Sequence, residues 1–536
     1  MDSKYIKRLE KKIHKCKNIE KKQILEAYLD DIIKYDINTA KRNKSINKAK
    51  IRRKRILTGN LVKVSIAICM PIAIYGMFNS FYNLLDSIIS SAISASSVTT
   101  VSALSQVKNA LSAFGAGVAG GGAIIVARNF GAGKLDEAKK NCGALFSIIL
   151  MVSALVICIL IPLSKVIIQL AGVADASSDT ILYFRLQLFE LAIVAVNSMF
   201  IGLEKAKGNS KHVFFLNLIV LGVKLSLNLL FVYYFKVQSI VYIEVATIIG
   251  QLVLLVIGLK LMFSNKNILK MSVKNFTLNG KYIKPILKLS IPIFFGKFVM
   301  SLGKVVVNSL CGAFYNASTD GLIVGALAVS NNLSGLVTTP TNAFEEGEST
   351  IVSQNLGARN MKRALKAFWV NLGIICCISL TGFILVRFVF LNQLVDMFNY
   401  SGSTDGMTEA EIAIEVAKSQ QLVRYIKEVF KYDCITIIVL GLNAAVLGLL
   451  YGFGQTYLSS ILNFSRIGTR ILTLIICYYV FEMDYTAAGI SMGISNTVIL
   501  TISTSFLIYF ISKLKKNGYK GMKLTDPEPE FNELKI

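Results

Sequence analysis

From residue 61 onward the chain is a succession of long apolar runs, at 61–92, 97–130, 143–163, 181–203, 211–235, 239–263, 285–313, 321–356, 367–391, 429–452, 456–481 and 485–513. A helix needs about 20 mostly apolar residues to cross a bilayer. Several runs exceed one span, which predicts tilt or extension past the hydrocarbon. The period-2 alternation of a membrane barrel is absent. The pattern predicts an all-α integral membrane protein with about twelve transmembrane helices. Residues 1–57 break it. They are polar, and Ile6, Leu9, Ile13, then Ile24, Leu25, Tyr28, Leu29, Ile32 and Ile33 recur at helical spacing, predicting one or two amphipathic helices. Nothing there has the form of a cleaved signal peptide, so the first apolar run is expected to act as its own insertion signal.

Composition agrees with the pattern. Hydrophobic residues make up 54% of the chain and charged ones 17%, against roughly a quarter charged in soluble domains. The net charge of +26 is unevenly spread. Residues 1–55 hold nineteen Lys/Arg against seven Asp/Glu, so +12 lies there. A basic chain invites a nucleic-acid reading, but short cytoplasmic segments of membrane proteins also collect Lys and Arg. Basic residues follow the even-numbered runs (Lys134, Lys139, Lys140; Lys205, Lys207, Lys211; the 265–284 stretch; Arg359, Lys362, Arg363, Lys366), whereas 393–428 is acidic. This alternation places both termini in the cytoplasm and 393–428 outside, in a plasma-membrane protein with no nucleic-acid partner. The IRRKRI segment at 51–56 reads as a positive-inside anchor, with contact to anionic lipid as a second role. Nine scattered cysteines and two histidines form no metal or disulfide framework. Walker A, GxSxG and HExxH strings are absent, so enzyme chemistry finds no support. The GAGVAGGG string at 115–122 lies in an apolar run, where it reads as close helix packing or a hinge.

The sequence repeats itself. GGGAIIVARNFGAGKLDEAKK (120–140) aligns with EGESTIVSQNLGARNMKRALK (346–366) at a constant offset of 226, matching Gly121, Ile125, Val126, Asn129, Gly131 and Ala132 to Gly347, Ile351, Val352, Asn355, Gly357 and Ala358. Ala-Lys-Gly-Asn-Ser (206–210) echoes Gly-Phe-Gly-Gln-Thr (452–456), and Pro71 echoes Pro292. The expected organisation is a basic extension (1–57), a six-helix lobe (58–263), a linker (264–284), a second six-helix lobe (285–513) and a tail (514–536). Six is even, so both halves insert in the same orientation. They are then related by an axis along the membrane normal, with a cavity between them.

These residues resemble the multidrug and toxic compound extrusion (MATE) family of the broader multidrug/oligosaccharidyl-lipid/polysaccharide exporter superfamily. The first helix, PIAIYGMFNSFYNLLDSII (71–89), is similar to the family's proline-started helix ending in an aspartate. The 120–138 and 346–364 segments resemble its paired signatures, and LYGFGQTYLSSILNFSRIGTRI (450–471) its helix 10–11 junction. The resemblance covers about 58–513. It implies a V-shaped efflux antiporter that exports small amphipathic compounds in exchange for H⁺ or Na⁺, without other cofactors. The family's first-lobe cation site implies Asp86, as the ligand of a proton or Na⁺, and Asn228. Phe231 and Val232 occupy the region of the family's second aspartate, and helix 7 carries Lys297 and Lys304 where some members carry an acid.

Ionisable residues at membrane depth are costly and mark function by default. Around Asp86, Tyr82 and Asn83 share its helical neighbourhood, and Glu190 is a second coupling candidate. An interfacial carboxylate remains the alternative for Asp86. Lys108, Lys297, Lys304, Asn332 and Glu345 are expected to line the substrate cavity. Glu345, Glu346 and Glu348 could equally form a hydrated mouth. The lysines could be neutralised by an acid such as Glu190, or make the cavity positive and suited to an anionic substrate. Lys224 and Arg470 fall at equivalent repeat positions. Two alternatives to drug-type export stand beside it, a flippase of lipid-linked saccharide and a membrane receptor with the basic extension as its output. The expected partners are a small-molecule substrate and membrane lipids, with the protein a monomer.

Overall fold

The structure is a computed structural model. It describes residues 42–91, 95–170, 177–235, 239–315, 317–319, 321–396 and 409–516, with Ile13 and Ala40; the side chains of 81–103, 106, 170, 232–233, 409–412 and 415 are outside that description. Every regular element among the described residues is helical. Twelve long helices follow one another: α1 Leu61–Ser91, α2 Ala95–Ala132, α3 Leu135–Leu160, α4 Ser178–Ala206, α5 Ser210–Leu229, α6 Val241–Phe263, α7 Gly280–Tyr315, α8 Ile323–Gly357, α9 Met361–Ile384, α10 Glu409–Asp433 continuing as Thr436–Gly452, α11 Thr456–Tyr479 and α12 Ala487–Lys516. Ten are long and apolar enough to cross a membrane, and the two parts of α10, bent by 46°, make an eleventh span. The remaining one, α8, is long but polar, with Asn331, Asn332, Glu345, Glu346 and Glu348. It can hold that polarity because it packs against α1, α2, α9 and α10 rather than standing alone.

Two differences from the sequence pattern have physical causes. The acidic stretch expected as an external loop is helical from Glu409, because Val423, Ile426, Val429 and Phe430 recur at helical spacing and bury against the bundle. The IRRKRI segment belongs to a helix over 42–58, which docks on protein. Arg52 Nη1 donates to Asn209 Oδ1 at 3.2 Å, and Arg53 Nη2 to the Gly131 carbonyl at 3.1 Å. From the other half, Arg363 Nη2 donates to the Ile56 and Gly59 carbonyls at 3.0 and 2.5 Å. The segment is therefore a strap joining both lobes, beyond its expected part as an anchor.

The repeat has a structural meaning. Lys134 N donates to the Asn129 carbonyl at 3.0 Å and Asn360 N to that of Asn355 at 2.8 Å. Each turn passes through a left-handed residue, Gly133 (φ 84) or Arg359 (φ 57). This is the hydrogen-bonded stop that ends a helix and turns the chain into the next. The second echo builds the same stop at Gly208 (φ 69) and Gly454 (φ 77), with Asn209 N on Glu204 O and Gln455 N on Leu450 O.

The halves interlock. In the first, α2 packs on α3 and α4, and α6 on α4 and α5; in the second, α8 packs on α9 and α10, and α12 on α10 and α11. Across the division α7 lies along α2 and α1 along α8. Both crossings run through equivalent glycines. A Cβ on Gly121 would stand 2.7 Å from Ser290 N, and one on Gly347 would overlap the Cys69 thiol. At the end bearing the basic turns, α2 and α8 meet backbone to backbone. There a Cβ on Gly131 would stand 2.5 Å from Gln354 Cα, and one on Gly357 2.9 Å from the Arg128 carbonyl carbon.

Candidate functional site

Between the halves lies a cavity of about 310 Å³, at the lower end of the range for small-molecule pockets. Small residues of α2 make room for it: Ala116, Ala119, Gly120, Ala123 and Ala127 line one wall. Ile72 and Tyr75 of α1, Ile201 and Gly202 of α4, Phe214 of α5, Ile293 of α7 and Tyr451 of α10 supply apolar and aromatic surface. The polar groups converge at one end. Lys205 of α4 pairs with Glu346 of α8 at 2.5 Å, an ion pair that spans the two lobes. Glu345 and Lys297 also line the cavity, and Lys297 is a cation in electrostatic range of Glu345. Tyr451 Oη shares a 2.6 Å hydrogen bond with Ser459 Oγ. The arrangement is a mostly apolar chamber with a charged floor of both signs, suited to an amphipathic guest.

Below this floor the cavity is sealed by a pair of matching hydrogen bonds. Arg128 Nη2 of α2 donates to the Gly452 carbonyl at the end of α10 at 3.2 Å. Gln354 Nε2 of α8 donates to the Ala206 carbonyl at the end of α4 at 2.6 Å. Arg128 and Gln354 are equivalent in the repeat, as are Gly452 and Ala206. Each lobe thus reaches into the other at the same place. The strap adds Arg53 to this seal through Gly131.

A second charged centre lies inside the first lobe. Lys108 of α2 is ion-paired with Glu190 of α4, and its Nζ stands 3.3 Å from Glu244 Oε1 of α6. Both carboxylates are buried. Lys224 of α5 is a further cation in range of both. Two carboxylates within reach of one ammonium can trade a proton or a small cation without leaving a bare charge in the protein. In the second lobe the matching place is held differently. Ser334, equivalent to Lys108, donates to Asp433 Oδ2 at 2.7 Å, and Ser330 to the same oxygen at 3.1 Å.

The expected site residues fall in separate places. Lys297 and Glu345 line the cavity. Lys108 does not; it belongs to the first-lobe cluster with Glu190, because two acids from neighbouring helices draw it inward. Asn228 is fully buried in α5. Lys304 lies farther along α7, and Asn332 is exposed on α8. Asp86, Asn83 and Tyr82, including the expected Na⁺ or proton site at Asp86, lie on α1 where side chains are outside the described residues. Glu348, fully buried against α10, makes no hydrogen bond among the described residues. Glu244 was not singled out in the sequence, although it is the only acid in the apolar run forming α6, a signal that marks function at membrane depth. Among the described residues no group of three or more His, Cys, Asp or Glu is placed to hold a metal.

A twofold-repeated helical bundle, closed at one end over a chamber between its lobes and carrying ion pairs at membrane depth, defines a two-lobed membrane transporter. The chain belongs to the MatE family, whose pattern matches residues 71–230 and 292–479. No curated protein matches it. Among solved structures it is similar to a MATE protein in complex with MaL6, with TM-score 0.77 and 18% identity over 86% of this chain and 99% of that one. A MOP superfamily transporter from Pyrococcus furiosus, described as having a binding pocket of reverse polarity, aligns with TM-score 0.76, 18% identity and coverage of 86% and 98%. The outward-facing conformation of a multidrug resistance MATE family transporter aligns with TM-score 0.75, at 18% identity and with the same coverage. At this identity the likeness is one of fold.

Proposed function

We propose that this MatE-family transporter is a secondary antiporter that exports small amphipathic compounds from the cytoplasm in exchange for H⁺ or Na⁺. The observation that carries the reading is the interlobe chamber, apolar on its walls and charged on its floor by Lys205, Glu346, Glu345 and Lys297, sealed at the end with the basic turns. That end faces the cytoplasm of a plasma-membrane protein by the positive-inside rule. Coupling is assigned to the first lobe. Asp86 supplies one carboxylate, and the Lys108–Glu190–Glu244 cluster of the same lobe supplies further titratable groups. The test is dye movement in liposomes holding the purified protein, with a pH gradient or a Na⁺ gradient imposed in turn. One of the two should drive a lipophilic dye, and Asp86→Asn or Glu190→Gln should uncouple it while the protein remains folded. If neither gradient moves any of a charge-diverse set of dyes, the antiporter reading is wrong.

A further inference from the structure

The charged clusters inside the two lobes differ in their local balance of charge. In the first, Lys108 and Lys224 face Glu190 and Glu244, two cations for two carboxylates. In the second, Lys304 of α7 stands with Arg466 and Arg470 of α11, and among the described residues the acid acting on these arginines is Asp433. Packing fixes the group. A Cβ on Gly296 would stand 3.4 Å from Ser460 Cα, and one on Gly303 2.5 Å from the Ile467 side chain. So α7 and α11 run together, with Lys304 beside Arg466 and Arg470. Asp433 already accepts hydrogen bonds from Ser330, Ser334 and Thr436. Arg470 is buried and donates to neutral acceptors, Ser495 Oγ at 3.2 Å and Asn496 Oδ1 at 3.5 Å. Among the described residues Arg466 Nε is buried without a hydrogen-bond partner. Among the described residues neither Arg466 nor Lys304 has a carboxylate within ion-pair distance. Three cations against one acid leave an excess of two positive charges at membrane depth, which is costly unless something neutralises it.

Access points the same way. Ile293 and Lys297 of α7 line the cavity. Lys304 is seven residues past Lys297, on the same helix face and about 10.5 Å farther along α7, and its side chain is exposed. We propose that Lys304, Arg466 and Arg470 form a subsite for the anionic head group of an amphipathic substrate, a phosphate, sulfonate or carboxylate, whose apolar body lies toward the cavity. Guanidinium forks bind such oxyanions in two-pronged fashion. The proposal rests on the reading of the cleft as the transport path and adds the charge of the cargo.

The test is equilibrium binding to the full-length protein in nanodiscs of zwitterionic phosphatidylcholine, read by fluorescence anisotropy. Two probes share one fluorophore and differ in charge: dansyl taurine, a sulfonate, and dansyl cadaverine, an ammonium. The wild type is expected to bind the sulfonate at least tenfold more tightly. Lys304→Met and Arg466→Gln should each weaken sulfonate binding roughly tenfold or more, the value of one charge-assisted contact, and leave the ammonium unchanged. Lys304→Arg should restore the preference, which separates lost charge from lost folding. Competition by phosphatidylglycerol in the nanodisc identifies a lipid head group as the natural anion. Competition by inorganic phosphate alone identifies a soluble one. Equal affinity for both probes in the wild type, or a preference that survives both neutralising variants, overturns the proposal. Sulfonate-selective binding by a protein that moves no dye under any gradient would overturn the antiporter reading and leave the anion subsite standing.

Discussion

The close meeting of α2 and α8 offers a direct perturbation of the closed end. In Gly131→Ala the new methyl carbon would lie 2.5 Å from Gln354 Cα. Ordinary carbon–carbon contact is about 3.5–4.0 Å, so the helices must part there by about 1 Å. The obstacle is backbone, and no rotamer change relieves it. Overpacking typically costs about 1–3 kcal/mol, and here the upper value applies. The same movement strains the 2.6 Å bond from Gln354 to the Ala206 carbonyl, worth about 1 kcal/mol. A penalty of about 3 kcal/mol on the closed end alone shifts the balance toward the open end by roughly a hundredfold. The readout is labelling of a single cysteine at Ser349, a buried cavity residue, by an impermeant maleimide applied from the side of the basic turns, in a background without the native cysteines. Labelling should quicken by about that factor. Gly357→Ala, the equivalent change, should act in the same direction. Gly222→Ala, whose methyl meets nothing within 4 Å, should leave the rate alone. Unchanged labelling in both gate variants, with unchanged thermal stability, would show that this crossing does not hold the end closed.

Other expectations follow from the charged clusters and the strap. Lys108→Met strands Glu190 and Glu244; unfolding in detergent should show a loss of about 3–5 kcal/mol, and Lys108→Met combined with Glu190→Gln should recover much of it. If the double variant is no better than the single, the cluster is not held by that pair. Glu348→Gln should raise the melting temperature or leave it unchanged, since a buried carboxylate with no partner among the described residues is a cost that the neutral amide avoids; a marked fall would mean the carboxylate has a ligand. Arg363→Ala removes the hydrogen bonds holding the Ile56 and Gly59 carbonyls and should raise amide exchange over 42–58 at least tenfold, about 1.5 kcal/mol per charged bond; protection equal to wild type would refute the strap.

Much of the fold could be read from the chain because its signals are local. Run length gives the helices, and ten of them pass as membrane spans on their own. The paired Asn-x-Gly-Ala strings are visible because each serves two needs at once. Asn129 and Asn355 sit at helix stops, and Gly131 and Gly357 allow the backbones to touch. Where signals were not local, the sequence pattern misled or fell silent. The 393–428 stretch looked like a loop because its charges masked a half-buried helix face from Glu409. The IRRKRI segment reads as a positive-inside anchor, and its further part as a strap is silent in the sequence because its partners, Asn209, Gly131 and Arg363, lie far along the chain. Lys108 could be matched to Glu190 in principle, but Glu244 joins them only once α6 is folded against α4.

The repeat is kept where backbone meets backbone and abandoned where side chains do chemistry. Arg128 and Gln354 differ, yet both donate to equivalent carbonyls of the opposite lobe; a donor of sufficient reach is the requirement, not a particular residue. Inside the lobes no such tolerance is needed, and the equivalent positions diverge in charge. Lys108 gives way to Ser334 across the repeat, whereas Lys224 keeps its positive charge as Arg470. On the functions proposed above, the first lobe's cluster exchanges the cation and the second lobe's cluster between α7 and α11 holds the anionic head group. In an exchanger whose lobes rock about a common seal, this division gives each lobe one of two tasks. Ion and substrate can then bind at separate places and influence each other through the seal, without competing for the same groups.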